Sequence, residues 1–204
     1  MNSNQIKKKK NKSSTIFINW KRKISCYNYL FLEFLAVNFD SFYKILIKWR
    51  KPIFLKELDM IKILPDDKIL FIGCGILPTG ALIIAEKTKN KVIAIDNNIK
   101  VVKFAQYYIQ KKELSNKIKI EYADGINYPV EQFDFIFMAT NTWPIELILK
   151  HLHNNMKYDA KIICKGIKDD IAELFEKSDL ENMYVIENVV KNPKTYSFLL
   201  TKKR

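Results

Sequence analysis

Cysteine, glycine and arginine are all scarce in this chain of 204 residues. The three cysteines, Cys26, Cys74 and Cys164, are widely spaced and odd in number. They form no disulfide framework and none of the close spacings of a zinc site, so a reducing, cytoplasmic setting is expected. His151 and His153 lie two apart on an expected helix and point away from each other, so no metal is expected there. No apolar run is long enough to cross a bilayer. Tyr27 to Val37 is apolar, but it is short and holds Asn28 and Glu33. No small-residue cleavage site follows it, which argues against a signal peptide. No segment of the chain repeats.

Acidic residues are missing from Met1 to Lys23, which carries eight positive side chains. The net charge is +13, so about +5 belongs to everything after that leader. Residues 1–23 read as a flexible basic leader. The chain is rich in Lys, Ile and Asn and very poor in Arg, a compositional bias that weakens a nucleic-acid reading of the charge. Nucleic acid stays open as a partner but is not favoured over a small molecule. A homodimer is also left open.

What is present is a large apolar complement, 48% of the residues with thirteen Phe, enough to bury a sizeable core. Residues 24–64 read as N-terminal helices. Leu30, Phe31, Phe34 and Leu35 recur at helical spacing, as do Phe39, Phe42, Tyr43 and Leu46. Pro52 is expected to break this region into at least two helices, the later one near residues 54–63. Residues 65–204 then alternate. Strands are expected at 68–72, 92–96, 118–122, 133–138 and 161–164. Helices between and after them are expected near 78–88, 99–112, 145–154 and 168–175. Two closing strands at 184–190 and 196–202 form a hairpin. This is the pattern of an α/β, Rossmann-like, doubly wound sheet of seven strands, mostly parallel, with a C-terminal antiparallel hairpin.

The apolar run Ile69 to Ile72 meets Gly73-Cys74-Gly75, and a second run, Val92 to Ile95, ends in Asp96. Glycines in such a turn let the backbone approach a nucleoside, and an acid ending the second strand can accept both ribose hydroxyls. Two ligand classes fit, NAD-type dinucleotides and S-adenosylmethionine. A dinucleotide site wants a third glycine three positions after Gly75, but that position is Pro78, which has no N–H for a phosphate. Asp124, followed by Gly125, lies just past the third strand, where an acid can accept from an adenine amino group. S-adenosylmethionine is therefore the expected cofactor. Cys74 is read as a small residue that fits the turn.

These residues, with the terminal hairpin, resemble the class I S-adenosylmethionine-dependent methyltransferase superfamily, over roughly residues 58–202. The resemblance implies that Gly73 and Gly75 underlie the methionine and ribose parts. It also implies that Asp96 holds the ribose, that Asn97 lies beside the adenine and that Asp124 holds its amino group. This chain departs from that family at Phe71, where an acid is usual, and at Leu77, where glycine is usual. The missing acid leaves the usual anchor of the methionine amino group unassigned. The turn Gly73-Cys-Gly-Ile-Leu-Pro78, with the helix Ala81 to Ala85, is similar to a narrower group, the nicotianamine synthases and their bacterial opine-metallophore relatives. Those enzymes transfer the aminocarboxypropyl arm of the same cofactor.

In a parallel sheet the acceptor sits beyond the carboxyl end of the fourth strand, here Thr140-Asn141-Thr142-Trp143-Pro144. Thr140 is counted with the cofactor residues. Asn141 could bond an acceptor amine, and Trp143 could stack on an acceptor ring or the sulfonium. Tyr43, Glu33 and Glu57 are further acid or base candidates from the N-terminal helices. Methyl transfer to a small molecule is the first reading. Aminocarboxypropyl transfer with release of methylthioadenosine is the second. A non-enzymatic protein binding S-adenosylmethionine or nucleic acid is the third.

Overall fold

The computed structural model describes residues 27–203. The leader assigned to residues 1–23 lies outside them, as does Cys26. Helix α1 occupies residues 27–38 and α2 is Asp40–Leu58. The chain continues as β1 Ile69–Ile72, α3 Thr79–Thr88, β2 Val92–Asp96, α4 Ile99–Lys111 and β3 Ile118–Tyr122. Next come β4 Phe135–Met138, α5 Ile145–Asn155, β5 Lys161–Gly166, α6 Lys168–Lys177 and α7 Leu180–Met183. The hairpin β6 Tyr184–Lys191 and β7 Tyr196–Lys202 closes the fold.

The seven strands form one sheet in the order β3-β2-β1-β4-β5-β7-β6. The first five are parallel, and β7 runs antiparallel to both β5 and β6. Strand order reverses between β1 and β4, so the crevice at their carboxyl ends is the natural ligand site. Alternation along the strands sends Phe71, Phe137 and Ile163 to a core shared with α3 and α4, while Leu70, Ile136 and Ile162 pack with α5. Both faces are therefore covered, which is why β1 and β4 are apolar at every position. Removing Leu70, Ile136 and Leu149 from water contributes about 1.5–3 kcal/mol for each side chain.

Local chemistry sets several boundaries. The Asn98 side chain accepts from the Lys100 N–H at 3.0 Å and caps α4. Lys89 ends α3 in the left-handed region with φ 66°. The expected break at Pro52 does not occur, because Pro52 lies inside α2. The chain breaks earlier, at Phe39, whose backbone is extended. Pro52 removes one backbone hydrogen bond, while the burial of Phe54 and Glu57 holds the later turns of α2 in place. Asp169 and Asp170 lie in the first turn of α6, where they favour the helix dipole, and the position before that helix is Ile167.

Candidate functional site

Gly73 and Gly75 both take positive φ, 82° and 71°, a conformation that side chains with a Cβ rarely adopt. The N–H groups of Gly73 and Cys74 both donate to the Ile95 carbonyl, at 2.9 and 3.1 Å, which ties the turn to β2. Space is short as well. A Cβ on Gly73 would stand 2.8 Å from Thr142 Oγ1 and 3.3 Å from Ala139 Cβ, and one on Gly75 would collide with the Glu33 carboxylate. Cys74 is buried. Its thiol is pushed well above the usual range, first by burial and then by the charges of Asp96 and Glu33. A thiol in that state is not a nucleophile.

Asp96 ends β2 half-buried, beside the turn. Its Oδ2 accepts from the Gly75 N–H at 3.2 Å and its Oδ1 from the Asn98 N–H at 3.0 Å. Burial raises its pKa against the pull of those two bonds. Each oxygen keeps a further lone pair for an incoming hydroxyl. Asn97 is exposed next to it. Asp124 lies beyond the end of β3 and accepts from the Ile126 N–H at 3.1 Å, shaping its own turn. Gly125 is buried, and a Cβ there would stand tightly, 3.0 Å, from Ile72 Cγ2. The glycine turn, Asp96 and Asp124 thus follow three adjacent strands along one carboxyl edge.

The sequence offers no acid on β1, and Phe71 is indeed a core residue stacked on Phe137. A buried carboxylate nevertheless lies at the turn, delivered from α1. Glu33 Oε2 accepts from the Ile76 N–H at 2.9 Å and from the Leu77 N–H at 3.4 Å. Its Oε1 pairs with Arg50 Nη1 of α2 at 2.7 Å, and the same nitrogen donates to Thr79 Oγ1 at 3.1 Å. Burial raises the Glu33 pKa, and Arg50 opposes that rise without cancelling it. Pro78 is buried and immediately precedes α3, so the turn is clamped between Glu33 and the start of that helix.

The loop after β4 meets the turn from the other side of the switch point. Thr142 Oγ1 donates to the Ile72 carbonyl at 3.3 Å, which makes it, and not Thr140, the threonine packed on Gly73. Thr140 is half-buried at the start of the same loop. Asn141 is exposed, and Trp143 is 56% exposed. Of the helix candidates, Tyr43 packs near Tyr108 of α4 and Glu57 is buried against Lys165 of β5. Arg50 and Lys165 escape a reading of the sequence, because nothing local distinguishes them, and Thr142 enters it only as part of the loop after the fourth strand. Among the described residues no cluster of His, Cys, Asp and Glu could hold a metal. No helix among them is long and apolar enough to cross a membrane.

No protein-family model matches the chain. L-histidine 2-aminobutanoyltransferase of Pseudomonas aeruginosa is 25% identical over 155 residues, covering 72% of this chain and 57% of that protein. A probable cobalt-precorrin-6B C(15)-methyltransferase (decarboxylating) of Thermoplasma volcanium is 26% identical over 102 residues, 48% of this chain and 51% of that one. The chain therefore spans little more than half the length of these curated relatives. Among solved structures, MtNAS in complex with MTA and tNA matches with a TM-score of 0.69 at 15% identity, over 93% of this chain and 74% of that one. A glutamate-to-glutamine variant of MtNAS gives a TM-score of 0.73. Geranyl diphosphate C-methyltransferase of Streptomyces coelicolor matches at 0.60 and 7% identity, over 76% of this chain and 78% of that one. The fold is the Rossmann-like fold of class I S-adenosylmethionine-dependent enzymes. Within it, the chain is similar to the nicotianamine synthase MtNAS as well as to methyltransferases.

Proposed function

We propose that the protein is an S-adenosylmethionine-dependent transferase that moves the aminocarboxypropyl arm onto the amine of a small molecule. The observation that carries this reading is the extent of the likeness. MtNAS matches 93% of the chain, whereas geranyl diphosphate C-methyltransferase matches 76%. The wider match suits a site in which the N-terminal helices are built in, and α1 sends Glu33 onto the glycine turn. The Gly-x-Gly-x-Leu-Pro turn and the similarity to an aminobutanoyltransferase point the same way.

The residues fit the cofactor. Two glycines at positive φ shape a tight turn at the carboxyl end of β1, and Asp96 beside it has carboxylate lone pairs to spare for a ribose. Gly73, Cys74, Gly75 and Pro78 would underlie the nucleoside, with Asp96 on the ribose hydroxyls and Asn97, Asp124 and Gly125 around the adenine. The cofactor supplies a carbon already activated by a sulfonium. What remains for the protein is to hold the acceptor in line, exclude water and take up a proton. Thr140, Asn141 and Trp143 border the acceptor side, with Trp143 as the apolar shield.

Methyl transfer is the second reading, favoured by the match to the decarboxylating methyltransferase. The two readings leave different products. Chromatography with mass detection of a reaction with S-adenosylmethionine and an amine mixture is expected to find methylthioadenosine. S-adenosylhomocysteine as the sole nucleoside product would favour methyl transfer. Neither product, despite binding, would leave a binding protein.

A further inference from the structure

The first helix has its polarity reversed. Its one charged residue, Glu33, is buried. Its outward face carries Tyr27, Phe31 and Leu32, with Phe31 62% exposed. The second helix continues the pattern. Phe42, Ile45 and Trp49 recur at spacings of three and four, so they form one stripe along α2. All three are exposed, Trp49 to 75%. Phe39, between the two helices, is exposed as well, and its ring lies 6.2 Å from that of Phe42. The apolar stripe of α2 therefore reaches back to the end of α1.

The charge around this surface is of one sign. Lys44 and Lys48 run beside the stripe and Lys56 continues it, all three exposed. None of the ion pairs among the described residues uses them. The acids of α2 are Asp40, in its first turn, and Glu57, which is buried. Upstream of α1 in the sequence, residues 1–23 add eight positive and no negative side chains. Among them Ile16, Phe17, Ile18 and Trp20 stand just before Lys21-Arg22-Lys23, the same mixture of apolar, aromatic and basic residues. A contiguous apolar surface of this kind marks an interaction site. A second copy would bring unpaired lysines against unpaired lysines. The stripe protrudes from a helix and does not line a groove, so a firm protein partner would have to match it side chain by side chain. A bilayer takes up protruding apolar side chains at its headgroup boundary and lets lysines extend to the lipid phosphates. Basic residues held near an anionic leaflet strengthen that contact. No helix among the described residues is long and apolar enough to cross a membrane, so the contact would lie along the surface.

We propose that the outward face of α1 and α2 binds the surface of an anionic phospholipid bilayer. Phe31, Phe42, Ile45 and Trp49 enter the headgroup boundary, and the lysines of α2 and of residues 1–23 meet lipid phosphate. The inference stands apart from the transferase reading and concerns where the protein acts, not what it transfers. Because α1 also holds Glu33 against the glycine turn, the membrane contact and that turn share one helix.

The test is co-sedimentation of the full chain with vesicles of phosphatidylcholine and phosphatidylglycerol in a two-to-one mixture, and with vesicles of phosphatidylcholine alone. Wild type is expected to bind the mixed vesicles tenfold or more tightly than the neutral ones, and the difference should shrink as salt is raised. Phe42→Ser/Ile45→Ser/Trp49→Ser, with its fold checked by circular dichroism, should lose tenfold or more of the affinity for mixed vesicles. Lys44→Gln/Lys48→Gln/Lys56→Gln should lose threefold or more. If wild type does not bind mixed vesicles, the proposal is overturned. Full binding by the folded serine variant also overturns it, because the charge of residues 1–23 would then suffice without the helices. Should the triple serine variant fail to fold, Trp49→Ser alone is expected to weaken binding threefold or more, and unchanged binding overturns the proposal. Analytical ultracentrifugation without lipid supplies the remaining arm. A dimer that Trp49→Ser dissociates would assign the face to a second copy and overturn the lipid reading.

Discussion

Glu33 and Ile76 are 43 residues apart in sequence, yet the Glu33 carboxylate accepts the Ile76 N–H at 2.9 Å inside the protein. This bond makes the first helix part of the glycine turn. A class I sheet can present such a turn without help, but here the turn and Arg50 share one buried carboxylate, and Arg50 donates in addition to Thr79 Oγ1.

Removing that carboxylate should be costly. Glu33→Ala leaves the Ile76 and Leu77 N–H groups without their acceptor and Arg50 without its counter-ion. Breaking one partner out of a buried pair typically costs about 3–5 kcal/mol. Urea denaturation should show a loss in that range. A loss below about 1 kcal/mol would mean that the turn stands without α1.

The pH dependence has a definite sign. Burial raises the Glu33 pKa above its usual value near 4.5. Between the usual and the raised value the folded state binds more protons than the unfolded one, so this group's contribution to stability falls as pH rises through that window. It is fully present below the usual value. Glu33→Gln cannot titrate. The stability of wild type relative to Glu33→Gln should therefore decline as pH is raised from about 4.5 toward neutrality. A rise over that range would show that the pairing with Arg50 outweighs burial.

Asp96→Ala should weaken cofactor binding while the fold persists. Loss of a charge-assisted hydrogen bond costs roughly 1.5–3 kcal/mol, about ten- to hundredfold in affinity. Calorimetry with S-adenosylhomocysteine measures it. An unchanged dissociation constant would remove Asp96 from the ribose.

Trp143→Ala should lower turnover far more than it lowers cofactor affinity. Trp143 is 56% exposed in the loop after β4, and β4 flanks β1 on the side opposite to β2, which ends in Asp96. The dissociation constant of S-adenosylhomocysteine should change less than about threefold, under roughly 0.7 kcal/mol. Parallel collapse of rate and affinity would place the indole in the cofactor pocket. No change in either would send the search for the acceptor to the N-terminal helices.

The parts of the site legible in the sequence are those written by local backbone rules. Gly73 and Gly75 announce a turn that no side chain tolerates, and Asp96 ends an apolar strand. The sheet followed from the alternation of such runs, with its closing hairpin. The rest depends on contacts between distant elements. A lysine after Cys164 reads as the end of a strand, yet β5 continues to Gly166 because Glu57 of α2 neutralises Lys165. Pro52 reads as a break, yet α2 runs through it because its later turns are anchored in the core. Thr140 and Thr142 are equivalent in sequence, and only the packing against Gly73 separates them. Glu33 was legible as a candidate acid, but its partners were not.

The identity of the transferred group is decided most directly by isotope labelling. S-adenosylmethionine carrying one heavy label in its methyl group and a second in its carboxyl group is incubated with the protein and a mixture of amino acids. Aminocarboxypropyl transfer sends the carboxyl label to the acceptor and leaves the methyl label in methylthioadenosine. The expected result is a product heavier by the labelled arm, formed in step with methyl-labelled methylthioadenosine. A methyl-labelled acceptor with the carboxyl label retained in S-adenosylhomocysteine would contradict arm transfer.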